Sequence, residues 1–256
     1  MQTIKQIEQL LLACNSHDDI INLKLHEDTR VGVRRAIIKH TKRIDKHAKL
    51  LEKYEAMKLY EQASGARIIA SIDEAGRGPI AGDVVAAAVI LPDDFELLGL
   101  NDSKQLSHEK RMAFREYIMT YAEYGIGHAS PQEIDEINIY QATKLAMLRA
   151  MEALNVKPDH LLIDAMQLDT DIHQTSIIKG DENSLSIAAA SILAKTERDL
   201  SMLQLHEQYP MYGFNQHKGY GTRQHIDALN THGPCAFHRK TFEPVTTILH
   251  KNGYIE

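Results

Sequence analysis

Asp73 and Glu74 stand side by side at the end of a short apolar run, Ile68-Ile69-Ala70-Ser71-Ile72, and Gly76-Arg77-Gly78 follows one residue later. Two carboxylates at the end of a buried strand lose hydration and repel each other, so something cationic must compensate them. A divalent metal does this naturally. Hard divalent cations take oxygen ligands, and magnesium in particular is held by one or two protein carboxylates together with substrate phosphate and water. The Gly-Arg-Gly loop, flexible as a sequence, can bring backbone amides and one guanidinium fork to a phosphate or a sugar.

Two further acids fit the same chemistry. Asp164 ends a second apolar run, Leu161-Leu162-Ile163, and Asp181 sits in Gly180-Asp181-Glu182-Asn183 just before a helical pattern. Four carboxylates from three segments could share a pocket, where two metals would activate a water and stabilise a leaving oxygen in phosphodiester cleavage. Any one of these acids alone reads more simply as a wet strand end. Asp73-Glu74 together with Gly76-Arg77-Gly78 does not.

Other readings fit less well. Gly76-x-Gly78-x-x-Ala81 matches a dinucleotide fingerprint, but that motif must open a helix. Here Pro79 and Gly82 lead into Val84-Val85-Ala86-Ala87-Ala88-Val89-Ile90-Leu91, which reads as a strand. A glycosidase pair would want aromatic platforms, and the chain has no Trp. The fourteen histidines show no zinc spacing and there is no C-x-x-C, so most are expected on surfaces or loops. Tyr209–Thr222 is the second dense region. It mixes aromatics, basic residues and glycines as a nucleic-acid-facing loop would, and Gly219-Tyr220-Gly221 suits presentation of one ring to a ligand.

These residues need a scaffold. From 67 onward strand and helix signals alternate, as in an α/β layer with a mixed sheet. Strands are expected at 68–72, 84–91, 124–129, 161–163 and 176–179, and helices at about 108–123, from 131 and from 186 to about 205. Ser130-Pro131-Gln132-Glu133 is a complete helix start, with Ile134, Ile137, Gln141, Leu145, Leu148 and Leu154 running down one face. Residues 1–60 read as two or three helices broken near Asn15–Asp19 and Glu27–Val33. Gln62-Ala63-Ser64-Gly65-Ala66 is the boundary candidate. The net charge of −6 hides an asymmetry: residues 1–60 carry 12 Lys and Arg against 8 acids, +4, leaving −10 for the rest. No apolar run approaches the ~18 residues needed to span a bilayer. Cys14 and Cys235 give no disulfide framework, so a reducing cytoplasm and no membrane are expected.

Over residues 67–250 the chain resembles ribonuclease HII, the type 2 bacterial ribonuclease H. The resemblance rests on an ordered set: Asp73-Glu74-Ala75-Gly76-Arg77-Gly78-Pro79, Asn101-Asp102-Ser103-Lys104, Leu162-Ile163-Asp164, Lys179-Gly180-Asp181, Ala188–Lys195 and His217-Lys218-Gly219-Tyr220-Gly221-Thr222. It implies a ribonuclease-H-like mixed sheet flanked by helices, occupying 67–256, with a small all-helical extension at 1–62. It implies an endonuclease that cuts RNA in RNA–DNA hybrids and 5′ of ribonucleotides embedded in duplex DNA, using Mn2+ or Mg2+ and leaving 3′-OH and 5′-phosphate ends. Asp73, Glu74 and Asp164 resemble the family's metal ligands. Asp181 resembles the fourth acid, with Glu182 competing for the place. Gly76, Arg77 and Gly78 resemble the loop that senses the ribose 2′-OH, Ser103 and Lys104 phosphate contacts, and Tyr220 the ring at the RNA–DNA junction. No obligate protein partner is readable and a monomer is the default. The alternatives are another metal nuclease on this fold, or a nucleic-acid-binding protein without catalysis. For residues 1–62, a substrate grip through Arg34, Arg35, Lys39, Lys42, Arg43, Lys46 and Lys49 competes with a stabilising helical cap.

Overall fold

A computed structural model describes residues 2–101, 103–251 and 253. Asp102 of the Asn101–Lys104 motif, Asn252 and residues 254–256 lie outside the described residues. The chain divides into two compact units, Met1–Ala56 and Met57–Glu256.

In the first unit, α1 (Ile4–Ala13) and α2 (His17–Asn22) each begin at a reciprocal cap, Thr3 with Gln6 and Ser16 with Asp19. Such caps satisfy two orphan amides at once. The long α3 (Val31–Met57) follows. Ile7, Leu11, Ile20, Val33, Ala36 and Ile44 bury a small core between these helices. Arg43 closes the end of α1 by donating to the carbonyls of Leu11, Leu12 and Cys14.

The second unit runs α4 (Leu59–Ser64), β1 (Ile69–Ala75), β2 (Val84–Ile90), α5 (His108–Tyr121), β3 (Glu123–Ala129), α6 (Pro131–Glu152), β4 (His160–Asp164), β5 (His173–Ile177), α7 (Gly180–Asn183), α8 (Leu185–Gln208), α9 (Phe214–His217), α10 (Arg223–His232) and α11 (Val245–Lys251). The five strands form one mixed sheet in the order β3-β2-β1-β4-β5. β2 is antiparallel to both β1 and β3, whereas β4 is parallel to β1 and β5. Helix α6 packs on β2 and β3, and α8 packs on β1 and β2. Side chains alternate across a strand. Ala70 and Ile72 therefore join the α6 core, while Ser71 and Asp73 turn to α8, where the Ser71 and Ser186 hydroxyls meet at 2.6 Å.

Helix α6 departs from the uniform face expected over 134–154. Asn138 takes a φ of 66°, and its Oδ1 accepts from the amides of Tyr140 and Gln141. An Asn can leave the helical region and cap a new segment with its own side chain. The second segment starts in a new phase, so Ala142, Ala146, Met147 and Ala150 are buried instead of the Gln141, Leu145 and Leu148 line.

Helix α8 starts one residue before the expected Ser186. Its N-terminus receives a carboxylate from α4. Glu61 Oε1 accepts from the Ser186 amide at 3.1 Å, the Ser186 hydroxyl at 2.5 Å and the Ser184 hydroxyl at 2.7 Å. A negative group at a helix N-terminus satisfies free amides and the positive dipole end together. Among the described residues, no helix is long and apolar enough to cross a membrane.

Candidate active site

Parallel pairing brings the acids together. Ile72 of β1 lies opposite Ile163 of β4, so the next residue on each strand places Asp73 beside Asp164. Asp73 is only 5% exposed. Its Oδ1 accepts from the Glu74 amide at 2.8 Å, and Ser191 of α8 supplies a second hydrogen bond. The Ser191 hydroxyl also lies 3.1 Å from the Ser103 hydroxyl, whose proton it can accept. Asp164 Oδ1 accepts from the Gly180 amide at 2.7 Å. A Cβ at Gly180 would stand 2.6 Å from Ile187 Cδ1 and 3.3 Å from that same carboxylate oxygen, so only glycine lets α7 approach this closely.

Burial is the first cause that pushes the Asp73 carboxyl well above the usual carboxylate range; the charges of Glu74 and Asp164 add to it. Glu74 is raised mainly by burial as well, with Arg77 opposing the shift. The Arg77 guanidinium is 3.4 Å from Glu74. Asp181 occupies the first turn of α7 beside Glu182. The Glu182 carboxylate is engaged elsewhere, with Gln105 at 3.1 Å and Lys179 at 3.7 Å.

Among the described residues, no three His, Cys, Asp or Glu side chains are gathered into a metal-holding arrangement. The donor set nonetheless has the chemistry of a hard-cation site. It consists of carboxylates only, one of them, Asp73, nearly inaccessible to water and facing the charges of Glu74 and Asp164. A divalent cation relieves all of these costs together.

The Gly-Arg-Gly loop is not the free loop its sequence suggests. Arg239, 0% exposed, donates to the carbonyls of Gly76 at 2.6 Å, Arg77 at 2.9 Å, Pro79 at 2.7 Å and Gly82 at 2.8 and 3.0 Å. Arg198 of α8 donates to Ala81, Asp83 and Lys218. The Ile80 amide donates to the Gly219 carbonyl at 2.9 Å. Arg198 and the Ile80–Gly219 bond thus tie residues 80–83 to Lys218 and Gly219, while Arg239 braces residues 76–82 from behind. Gly76, at φ +98°, has no room for a side chain, because a Cβ there would lie 2.1 Å from Arg198 Nε. Burial, and then the neighbouring charge of Arg198, pulls Arg239 down to about 9, which leaves it charged at neutral pH. The Tyr220 ring is 48% exposed and lies against Gly78, whose ideal Cβ position is 3.7 Å from Tyr220 Cε1.

Of the remaining candidates, Lys104 is exposed, but Ser103 is turned inward: it is buried, and its carbonyl is occupied by Arg111 at 2.9 Å. The Tyr209–Thr222 region divides. Tyr220 faces out, whereas Tyr212, Phe214 and His217 are core. Four of the fourteen histidines, His40, His217, His225 and His238, are buried. His217 stacks on His225 with ring centroids 4.4 Å apart, and His225 Nε2 meets His238 Nε2 at 3.0 Å.

Burial is the main cause that lowers His225 to about 4 and His238 to about 3. An unfolded histidine titrates near ~6.5. Between that value and the folded values the unfolded chain binds the extra protons, so this contribution to stability is complete above about pH 6.5 and fades as the pH falls. Each histidine can contribute a slope of up to ~1.4 kcal/mol per pH unit. The thermal midpoint is expected to fall between pH 7 and pH 5, and a flat midpoint over that range would contradict the buried neutral cluster.

Ser191, Arg198, Arg239 and Glu61 are the residues that sequence reasoning passed over. Ser191 lies within the Ala188–Lys195 motif, yet nothing in that motif says its hydroxyl faces Asp73. Arg239 is 163 positions from the Gly76 carbonyl it holds, and no spacing rule connects them.

The family model described as Ribonuclease HII matches residues 70–245, and that described as Ribonuclease HII N-terminal domain matches residues 3–64. A ribonuclease HII of Bacillus cereus (strain B4264) is 52% identical over 254 residues, which covers 97% of this chain and 98% of that relative. Among solved structures, the ribonuclease H2 of Pyrococcus horikoshii OT3 is similar with a TM-score of 0.60 at 24% identity, covering 72% of this chain and 98% of that one. The structure of the PCNA:RNase HII complex from Archaeoglobus fulgidus gives a TM-score of 0.60 at 27% identity, covering 69% and 96%.

Proposed function

The chain belongs to the ribonuclease HII family and is an endonuclease on RNA–DNA hybrids, and from that premise we propose that it cuts on the 5′ side of a ribonucleotide, in long hybrids and in duplex DNA carrying a single ribonucleotide, leaving 3′-OH and 5′-phosphate ends. The observation that carries this reading is the position of the acids beside a loop pair braced from behind. Asp73 and Asp164 end neighbouring parallel strands, next to a Gly76-Arg77-Gly78 loop that Arg239 braces and that Ile80 ties to Gly219 of the Tyr220 loop.

Asp73, Glu74 and Asp164 would hold Mg2+ or Mn2+. Asp181 would be the fourth acid, with Glu182, which lies beside it in the first turn of α7, competing for the place. The cation supplies Lewis acidity and a nucleophile at neutral pH. The protein does the rest. Ser191, backed by Ser103, orients the Asp73 carboxylate, and the Gly180 amide orients Asp164. Backbone groups of Gly76 and Gly78 read the 2′-OH, a donor and acceptor that DNA lacks. Arg77 and Lys104 face phosphate. The exposed Tyr220 ring packs where ribose gives way to deoxyribose. The cytoplasm is the expected place of action.

Two end-labelled duplexes, one all-DNA and one with a single ribonucleotide, test this. A metal-dependent cut 5′ of the ribonucleotide is expected, with none in the all-DNA duplex. Equal cutting of both would remove Gly76-Arg77-Gly78 from 2′-OH recognition. In the same assay Tyr220→Ala is expected to reduce cutting at the single ribonucleotide by about 10-fold or more, the ~1–3 kcal/mol carried by one base–aromatic stack, with the fold intact. Unchanged site preference would take Tyr220 out of the mechanism.

A further inference from the structure

The segment from Cys235 to Arg239 holds two parts of the candidate site at once. On one side its backbone pairs with the residues that follow the Gly-Arg-Gly loop. The Gly82 amide donates to the Phe237 carbonyl at 2.8 Å, and the Arg239 amide donates to the Ile80 carbonyl at 2.9 Å. On the other side the His238 ring reaches the Tyr220 loop through His225 of α10. Both rings are buried.

The direction of every bond in this chain is fixed by its two ends. The Cys235 amide stands 3.0 Å from His238 Nδ1, and an amide N–H only donates, so this nitrogen accepts. The Tyr220 carbonyl stands 2.9 Å from His225 Nδ1, and a carbonyl only accepts, so this nitrogen carries a proton. Burial keeps both rings neutral at pH 7. A neutral imidazole has one donor and one acceptor nitrogen. His238 Nε2–H therefore donates to His225 Nε2 across the 3.0 Å between them.

Burying two imidazoles costs desolvation that apolar side chains would not incur. What the pair supplies is a directed donor at the carbonyl of Tyr220. That carbonyl also accepts from the Thr222 amide at 2.8 Å, a bond within the same turn. The His225 bond is the one that links it, through His238, to the 235–239 segment. Tyr220 has Gly219, at φ +84°, on one side and Gly221 on the other, so its chain neighbours restrict the backbone little. Its exposed ring nevertheless lies against Gly78.

We infer that His225 and His238 are positioning residues for the Tyr220 ring. The donor chain and the backbone pairing of residues 237–239 together set the ring against Gly78 at the spacing that selects a ribose–deoxyribose junction. This rests on the reading that Tyr220 packs at that junction. Neither histidine touches the substrate; both act through the Tyr220 carbonyl.

The test uses the full chain and compares the rate of cutting at a single ribonucleotide in duplex DNA with that in a long hybrid. His225→Leu is expected to lower the ratio of the first to the second at least ~5-fold, the scale of one hydrogen bond. Loss of folded protein would lower both rates alike. Where His225→Leu does not fold, His225→Gln, whose amide sits one carbon farther out, takes its place. His225→Asn attaches its amide nitrogen to the same carbon as Nδ1 and so retains the donor; its ratio stays near that of the wild type. In a Tyr220→Ala background His225→Leu changes the ratio no further, because its effect passes through the ring, whereas independent effects would add. The chain has no Trp, so Tyr220→Trp installs a single indole whose fluorescence anisotropy reads the order of the loop without cleavage. Adding His225→Leu is expected to lower that anisotropy.

An unchanged ratio in the folded His225→Leu protein overturns the proposal, as does an additive loss in the Tyr220→Ala background. An equal loss in His225→Asn would reduce the effect to packing and overturn it too, and so would an unchanged anisotropy. If Tyr220→Ala left the ratio at the wild-type value, the reading of Tyr220 would fail instead, and the anisotropy would still decide whether the histidines hold the loop.

Discussion

Asp73→Asn is expected to fold and to lose at least ~10^3-fold in turnover, since a metal ligand contributes several kcal/mol of charge stabilisation and each ~1.36 kcal/mol is tenfold in rate. Stability should move the other way. The Asp73 carboxylate bears the cost of burial and the repulsion of Glu74 and Asp164. Asparagine has the same shape, keeps an oxygen for the Glu74 amide and can still bond Ser191, but it carries no charge. In chelator its melting temperature is therefore expected to equal or exceed that of the wild type. A ligand that binds only the folded state raises the midpoint by mass action, so added Mg2+ or Mn2+ should stabilise the wild type and stabilise Asp73→Asn far less. Thermal melts with and without metal read this independently of cleavage. Near-wild-type turnover at saturating magnesium would sink the assignment.

Arg239→Met should damage the protein in a different way. The guanidinium is fully buried and faces the carbonyls of Gly76, Arg77, Pro79 and Gly82. Methionine fills much of the space and donates nothing. Each buried acceptor left without a partner costs ~1–3 kcal/mol, and some relax towards water, so a loss of about 3–5 kcal/mol is expected. At about 2–4 °C per kcal/mol for a unit of this size, the midpoint falls by roughly 6–20 °C. Activity at a temperature where the variant is still folded should fall about 100-fold, because a 1 Å displacement of a positioning loop suffices for that. Arg239→Lys keeps the charge but lacks the planar fork, and is expected to recover part of the stability while cleavage at a single ribonucleotide stays impaired. A Met variant within 2 °C of the wild type with unchanged cleavage would show that the loop holds itself.

The sequence by itself determined the acids, the scaffold class and the loop pair. Asp73-Glu74 and Asp164 were legible because apolar β runs that stop at a carboxylate are local patterns, and Ser130-Pro131-Gln132-Glu133 was legible because a cap is written within four residues. Helix starts at Thr3, Ser16 and Ser107 follow the same local rule. The phase of α6 was not legible: Asn138 leaves the helix through a backbone choice that tertiary packing makes. Nor was the burial of Ser103 and of the histidine cluster, since a polar residue is buried only where distant partners satisfy it, His225 by His238 and Ser103 by Ser191. Above all, the tertiary structure decided that Gly76-Arg77-Gly78 is braced rather than flexible. Glycines promise freedom in any sequence; five hydrogen bonds from an arginine more than 150 residues away remove it. A linear pattern carries information about neighbours along the chain, and the rigidity of this loop depends on neighbours that only folding supplies.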